Sequence, residues 1–271
     1  HPDLFWGVRG GGGNFGVVTS FEYRLHRVAP LMLGGHLIYP ISQARDVLNF
    51  FADYIANAPD ELWMEPVLTT GPDGAAVLIF DVCHSGNLGA GESALNPLRQ
   101  FRKPMQDLVR PTPYVELQRS NDVRTAPGRC FYVKQGFLRR IEPALVDALV
   151  GHFEEAPRTA GVMMFHAGGA IGRVASNATA FAHRHAQHGL LVQSAWDDRA
   201  RSDEYVAAAR ATWRVVEPFT KGFYVNDLTA EHTQQRVNEN YGANLARLIS
   251  LKRRYDPGNL FRMNANVLPS G

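Results

Sequence analysis

The sequence predicts an α+β fold: a large antiparallel sheet flanked by helices. Stretches of period-two or continuously apolar character alternate with stretches of helical period, but not in the strict βα succession that builds a parallel sheet. A short turn, Gly71-Pro72-Asp73-Gly74, separates two such strand-like stretches at 63–69 and 75–84, which reads as a hairpin. With 271 residues, 45% of them hydrophobic, the chain can bury a substantial core.

Taken in order, the first expected strand is 17–25, where Val17, Thr19, Phe21, Tyr23 and Leu25 share one face and Ser20, Glu22 and Arg24 the other. A second covers 31–39. Ser42 is placed to cap a helix whose apolar stripe is Ala44, Val47, Leu48, Phe51 and Ile55. After the hairpin come strands at 130–138, 161–165 and 190–196, with helices at 143–155 and 202–216. The longest helix is expected over 231–255, with Val237, Tyr241, Leu245, Leu248 and Leu251 on one stripe. Asp256-Pro257-Gly258-Asn259 then stops it, because Pro and Gly do not readily continue a helix.

Composition excludes several function classes. Twenty-eight basic against 26 acidic residues leave a formal net charge of +2, no footprint for nucleic acid or an anionic membrane surface. No apolar run reaches membrane-spanning length, and nothing reads as a signal peptide, so a cytoplasmic location is the default expectation. The two cysteines, Cys83 and Cys130, sit in apolar strand-like runs and indicate no disulfide framework. His183, His185 and His188 cluster, but their spacing does not present three ligands to one metal, and no metal site is expected.

The strongest local signal is Arg9-Gly10-Gly11-Gly12-Gly13-Asn14-Phe15-Gly16. Gly11, Gly13 and Gly16 satisfy G-x-G-x-x-G, but that fingerprint must open a helix, and the expected strand at 17–25 follows instead. A loop so rich in glycine still lets backbone N–H groups approach a ligand closely.

The block from Asp3 to Thr19 that contains this loop resembles the flavin-domain loop of berberine-bridge-enzyme-like FAD oxidases. Three further blocks resemble the same family in the same order. They are Gly168-Gly169-Ala170-Ile171 with Ala178-Thr179-Ala180-Phe181-Ala182-His183-Arg184, then Tyr224-Val225-Asn226 with Tyr241-Gly242-Ala243-Asn244, and finally 252–266. The resemblance implies that 1–28 ends the front part of an FAD-binding domain, 29–222 forms a substrate domain, and 223–271 returns to the FAD-binding domain. It implies Gly12, Gly13, Asn14, Phe15, Gly16, Tyr224, Asn226, Asn264 and Asn266 as flavin-binding residues and His166 as a substrate-facing one. The family's pyrophosphate loop and flavin-attachment residues have no counterpart here, so an N-terminal FAD-binding segment is the expected missing partner. Many members follow Tyr-Val-Asn with a Tyr that takes the substrate's hydroxyl proton, where this chain has Asp227. A carboxylate can serve as that base if its pKa is raised. The implied function is oxidation of an alcohol or amine carbon of a small organic substrate by hydride transfer to flavin, with dioxygen as reoxidant. The alternative is a non-catalytic binding module.

Overall fold

The structure, a computed structural model, describes residues 1–71, 73–122, 125–155, 160–227, 232–262 and 265–270. Its centre is an eight-stranded antiparallel sheet. The strands are β1 (Leu31–Pro40), β2 (Leu62–Thr70), β3 (Ala76–His84), β4 (Gln106–Asp107), β5 (Arg110–Pro113), β6 (Cys130–Leu138), β7 (Ala160–His166) and β8 (His188–Trp196). They run in the order β4-β1-β3-β2-β7-β8-β6, with β5 also pairing β1. The expected hairpin is β2–β3, in register from Leu62 opposite His84 to Thr70 opposite Ala76. Gly74, at φ +80°, makes the tight turn there.

The described α-helices are α1 (Pro2–Val8), α2 (Ile41–Ile55), α3 (Leu88–Phe101), α4 (Tyr114–Arg119), α5 (Pro143–Glu155), α6 (Ser202–Val216), α7 (Gln234–Tyr241) and α8 (Leu245–Tyr255). α2, α3, α5 and α6 lie against one sheet face. There Leu37, Phe80, Met64, Val162 and Val192 from successive strands meet Phe51, Leu95, Leu149 and Trp213 from the helices. Pleating sends the alternate strand residues to the other face. That face carries His36, Glu65, Asp81, Met163 and Gln193, and His36 Nδ1 lies 2.7 Å from Asp81 Oδ1.

A second, smaller core joins residues far apart in sequence. Trp6 and Phe15 pack with Ala180, Val225, Tyr241, Leu248, Leu251 and Val267.

Three expectations are corrected. Residues 17–30 form no strand, and the side chains of Val17, Phe21, Tyr23 and Leu25 are exposed. Alternation specifies a strand only when a neighbouring strand is there to pair with it, and none lies beside this stretch among the described residues. The helix expected after a Ser42 cap starts two residues earlier, at Ile41 after Pro40, without a side-chain cap. The long helix is two: Thr233 caps α7 by accepting from the backbone N–H of Arg236, and Gly242 at φ +50° ends it before a short 3₁₀ turn leads into α8. Residue 231 lies outside the described residues. α3 was not expected at all, because Gly89, Gly91 and Pro97 disguise its periodicity. Asn87 caps it by accepting from the backbone N–H groups of Gly89 and Ala90.

Candidate functional site

The glycine loop is held from three sides. Gly10 adopts φ +115°, and a Cβ there would overlap the backbone of Phe181, so loop and 178–184 segment pass at a separation only glycine allows. Asn14, fully buried, donates from its amide to the carbonyls of Gly11 (2.7 Å) and Ala265 (2.8 Å) and accepts from the Val267 N–H at 2.8 Å. Tyr241 Oη shares its one proton between the Gly11 and Ala265 carbonyls, at 3.1 and 2.9 Å. Lys252, with no exposed surface, places its ammonium 2.8 Å from the Asn14 carbonyl, 2.6 Å from Asp256 Oδ2 and 2.7 Å from the Phe261 carbonyl. Asp256 completes the staple by accepting from the N–H groups of Leu260 and Phe261. Its carboxyl sits below its ordinary pKa, held there by Lys252 and those two N–H groups against the opposing effect of desolvation.

Beside this clamp lies a cavity of about 850 Å³. Gly10 and Gly12 form one wall, Phe137, Phe165 and Phe181 another, and Tyr224 and Asn226 a third, with Arg9 and Arg184 also lining it. Gln135, on the open face of β6, accepts from the backbone N–H of Tyr224 and fixes the 224–227 turn to the sheet. The turn closes with the Asp227 N–H donating to the Tyr224 carbonyl at 3.0 Å.

The structure therefore brings Gly12, Tyr224 and Asn226 into one cavity. Gly13 and Gly16 lie exposed on the same loop. The side chains of Asn14 and Phe15 serve the fold, which leaves their backbone for any ligand contact: the Asn14 amide is bonded to Gly11, Ala265 and Val267, and Phe15 is in the second core, against Gly7. Asp227 sits next to the cavity wall with an exposed side chain that has no hydrogen-bond partner among the described residues, and partial burial raises its pKa. Asn266 gives its carbonyl to Gln234 at 2.8 Å, while its side-chain Oδ1 is buried without a donor. Asn264 lies outside the described residues.

His166 is not brought to this cavity. It alternates with Phe165, so it leaves β7 on the helix side and lines a neighbouring cavity with Asp60, Trp63, Arg173 and His188. His188 is buried there, 5.6 Å from the His166 ring and 6.3 Å from Phe51, and burial lowers its pKa to about 3. The neutral ring is thus favoured in the fold, whereas the unfolded chain takes up a proton near pH 6.5. Stability is therefore lost as pH falls from about 6.5 toward 3, by about 1.4 kcal/mol per pH unit for this one residue. Urea unfolding at pH 7 and pH 5 is expected to show a loss about 2 kcal/mol larger for the wild type than for His188→Leu; equal losses in the two proteins would remove this account.

The sequence reading missed Lys252, Arg9 and Arg184 as parts of the site. Lys252 and Asp256 were visible as an i,i+4 pair at a helix end. Nothing in the sequence marked that pair as buried. Among the described residues no three His, Cys, Asp or Glu side chains are grouped to hold a metal, and no helix is long and apolar enough to cross a membrane.

Comparison with known proteins adds to this geometry. Residues 223–268 match the family model described as berberine and berberine like. An FAD-linked oxidoreductase of Dictyostelium discoideum is 26% identical over 277 residues, covering 99% of this chain and 59% of that protein. The (R)-6-hydroxynicotine oxidase of Paenarthrobacter nicotinovorans is 28% identical over 287 residues, covering 100% of this chain and 61% of that protein. The chain is similar to proteins named FAD-linked oxidoreductases, and its 223–268 segment is berberine-like. The crystal structure of 6-hydroxy-D-nicotine oxidase from Arthrobacter nicotinovorans superimposes with a TM-score of 0.84 at 25% identity, over 99% of this chain and 62% of that one. Berberine bridge enzyme shares the fold, with a TM-score of 0.83 at 17% identity over 98% of this chain and 60% of that one. The berberine-like segment is the part that supplies the 224–227 turn, Tyr241, Lys252 and Asp256. The chain spans about three fifths of the length of the relatives it matches.

Proposed function

We propose that these residues form the substrate-side and C-terminal portion of an FAD-dependent oxidoreductase that oxidises an alcohol or amine carbon of a small organic molecule. The observation that carries the reading is the single cavity joining the glycine loop, the aromatic end of the sheet and the Tyr224–Asn226 turn, in a chain whose relatives are named FAD-linked. The residues present fit a flavin. Gly12, at φ +68°, presents backbone without a side chain, three Phe rings supply flat apolar walls, and Asn226 adds an amide at the rim. Gly12, Tyr224, Asn226 and Asn266 would hold the cofactor, with Gly13, Gly16 and Asn264 as further contacts. Residues 1–28 and 223–271 would belong to its domain, and 29–222 to the substrate's.

Bound FAD supplies hydride acceptance, with dioxygen as its reoxidant. The chain's own residues position and deprotonate. Asp227 takes the hydroxyl or ammonium proton of the substrate, and its raised pKa brings a carboxylate closer to the strength that task needs. Gln135 fixes the turn that carries it. The open sheet face with Glu65, Asp81, Met163 and Gln193 walls the substrate space. His166, on the far side of β7, is assigned no part in it.

The remaining grip on the cofactor comes, in this reading, from an FAD-binding segment outside these residues, which also covers Val17, Phe21, Tyr23 and Leu25. The exposure of that stretch, at 78% for Val17 and 87% for Leu25, supports it. The same exposure would equally suit a non-catalytic binding module, and a flavin titration separates the two. FAD fluorescence is expected to show weak saturable quenching by the 271-residue chain, weaker still in Gly12→Val. Tight one-to-one binding would dispense with the outside segment. Quenching that Gly12→Val leaves unchanged would take the glycine-loop cavity out of the flavin reading and favour the binding module.

A further inference from the structure

Several of the chain's arginines are paired with carboxylates: Arg45 with Asp147, Arg99 with Asp107, Arg129 with Asp197, Arg173 with Asp60 and Arg236 with Glu217. The two arginines in the glycine-loop cavity differ. Arg9, just past α1, donates to the Phe5 carbonyl at 3.0 Å and holds its guanidinium 4.2 Å over the Phe5 ring, with no carboxylate beside it among the described residues. Arg184 donates to the Ile171 carbonyl at 3.3 Å and Thr179 Oγ1 at 2.8 Å, while its Nε is buried with no acceptor. Neither has a carboxylate partner among the described residues, and both line one cavity.

Two guanidinium groups facing one cavity repel each other, and a buried N–H left without an acceptor costs free energy. Both costs fall if an anion sits between the groups, since a guanidinium donates in a planar fork that suits a carboxylate or phosphate. The lowering of the Arg184 pKa, by desolvation first and the Arg9 charge second, is the same conflict seen from the proton's side. The neighbouring walls are apolar and aromatic: Phe137, Phe165, Phe181 and Ile171, with the Arg184 guanidinium 4.9 Å over the Phe181 ring. The anion therefore arrives attached to a flat apolar body.

We propose that Arg9 and Arg184 form an anion-binding pair in the glycine-loop cavity, which receives the carboxylate or phosphate of an aromatic ligand. This deepens the reading above and rests on it only for the source of the anion. That source is either a substrate carrying a carboxylate or the phosphate of the flavin cofactor.

The test compares charged and neutral probes of matched shape: benzoate against benzamide, and FMN against riboflavin, titrated into the protein. Each guanidinium contact is expected to favour the anionic member of a pair by roughly tenfold or more. Arg9→Gln and Arg184→Gln should each remove about that factor for the anionic probe and leave the neutral one unchanged, and Arg9→Lys should keep most of it. Arg9 is exposed and its guanidinium rests on Phe5 of α1, so Arg9→Gln preserves the fold and stands as the test if Arg184→Gln fails to fold. A preference confined to benzoate assigns the site to a substrate anion, and one confined to FMN assigns it to the cofactor phosphate. If neither anion is preferred, or the preference survives Arg9→Gln, the pair is no anion site. Should FMN and riboflavin bind equally and independently of Arg9, the flavin reading stands and this one falls. Should benzoate alone bind, through Arg9, the reverse holds.

Discussion

Under the proposed function, Asp227→Asn in the flavin-loaded protein is expected to slow reduction of the flavin by substrate roughly 10²–10⁴-fold, with little change in substrate affinity. The substitution keeps the side chain's shape and much of its hydrogen bonding but removes its ability to accept a proton. Burial raises the Asp227 pKa, so the wild-type rate should fall as pH drops through the raised value and the carboxylate protonates. The variant should lack that acid limb. Stopped-flow reduction across the pH range checks both points. Asn226→Ala, one residue earlier and within the cavity wall, should instead weaken flavin binding or shift its potential. If Asp227→Asn reduces flavin at the wild-type rate, Asp227 is a loop aspartate and another group takes the proton.

Gly10→Ala is expected to destabilise the protein by about 2–4 kcal/mol, because a Cβ would enter the Phe181 backbone from a backbone conformation that L residues rarely adopt. At roughly 2–4 °C per kcal/mol, the unfolding midpoint falls by about 5–15 °C. Gly74→Ala is the control. It shares a positive φ, +80°, but nothing lies within 4 Å of the added atom, so only the conformational cost remains. Calorimetry of the two variants separates crowding from strain. A Gly10→Ala midpoint no lower than that of Gly74→Ala would mean that the 178–184 segment simply moves aside.

Much of the fold was legible because its pattern is self-consistent. Strands 31–40, 62–70, 76–84 and 130–138 carry regular alternation or continuous apolar runs, and α5 and α6 show clean apolar stripes. The stretch 17–25 carries the same alternation and forms no strand, since a strand needs a partner that its own sequence cannot provide. At the site, the family blocks pointed to the glycine loop and the 224–226 turn, and the structure places Gly12, Tyr224 and Asn226 around one cavity. The side His166 faces depended on its parity with Phe165 along β7, and no motif states which parity faces which cavity. Lys252 reads as an ordinary cation on a helix ending in three basic residues, until its burial against Asn14 and Phe261 is seen.

The Lys252 staple also governs the order in which the molecule can assemble. Its ammonium bonds a carbonyl 238 positions away, and the Asn14 amide accepts from a backbone N–H 253 positions away. Sheet hairpins such as β2–β3 close short loops and can form early, whereas contacts of such separation carry a large closure entropy and form late. During synthesis the glycine loop emerges long before Val267, yet must wait for it before its clamp can close. The cavity beside that loop is then the last part of this chain to take shape, and until it does, the loop that lines it is exposed to proteases and to misplaced partners.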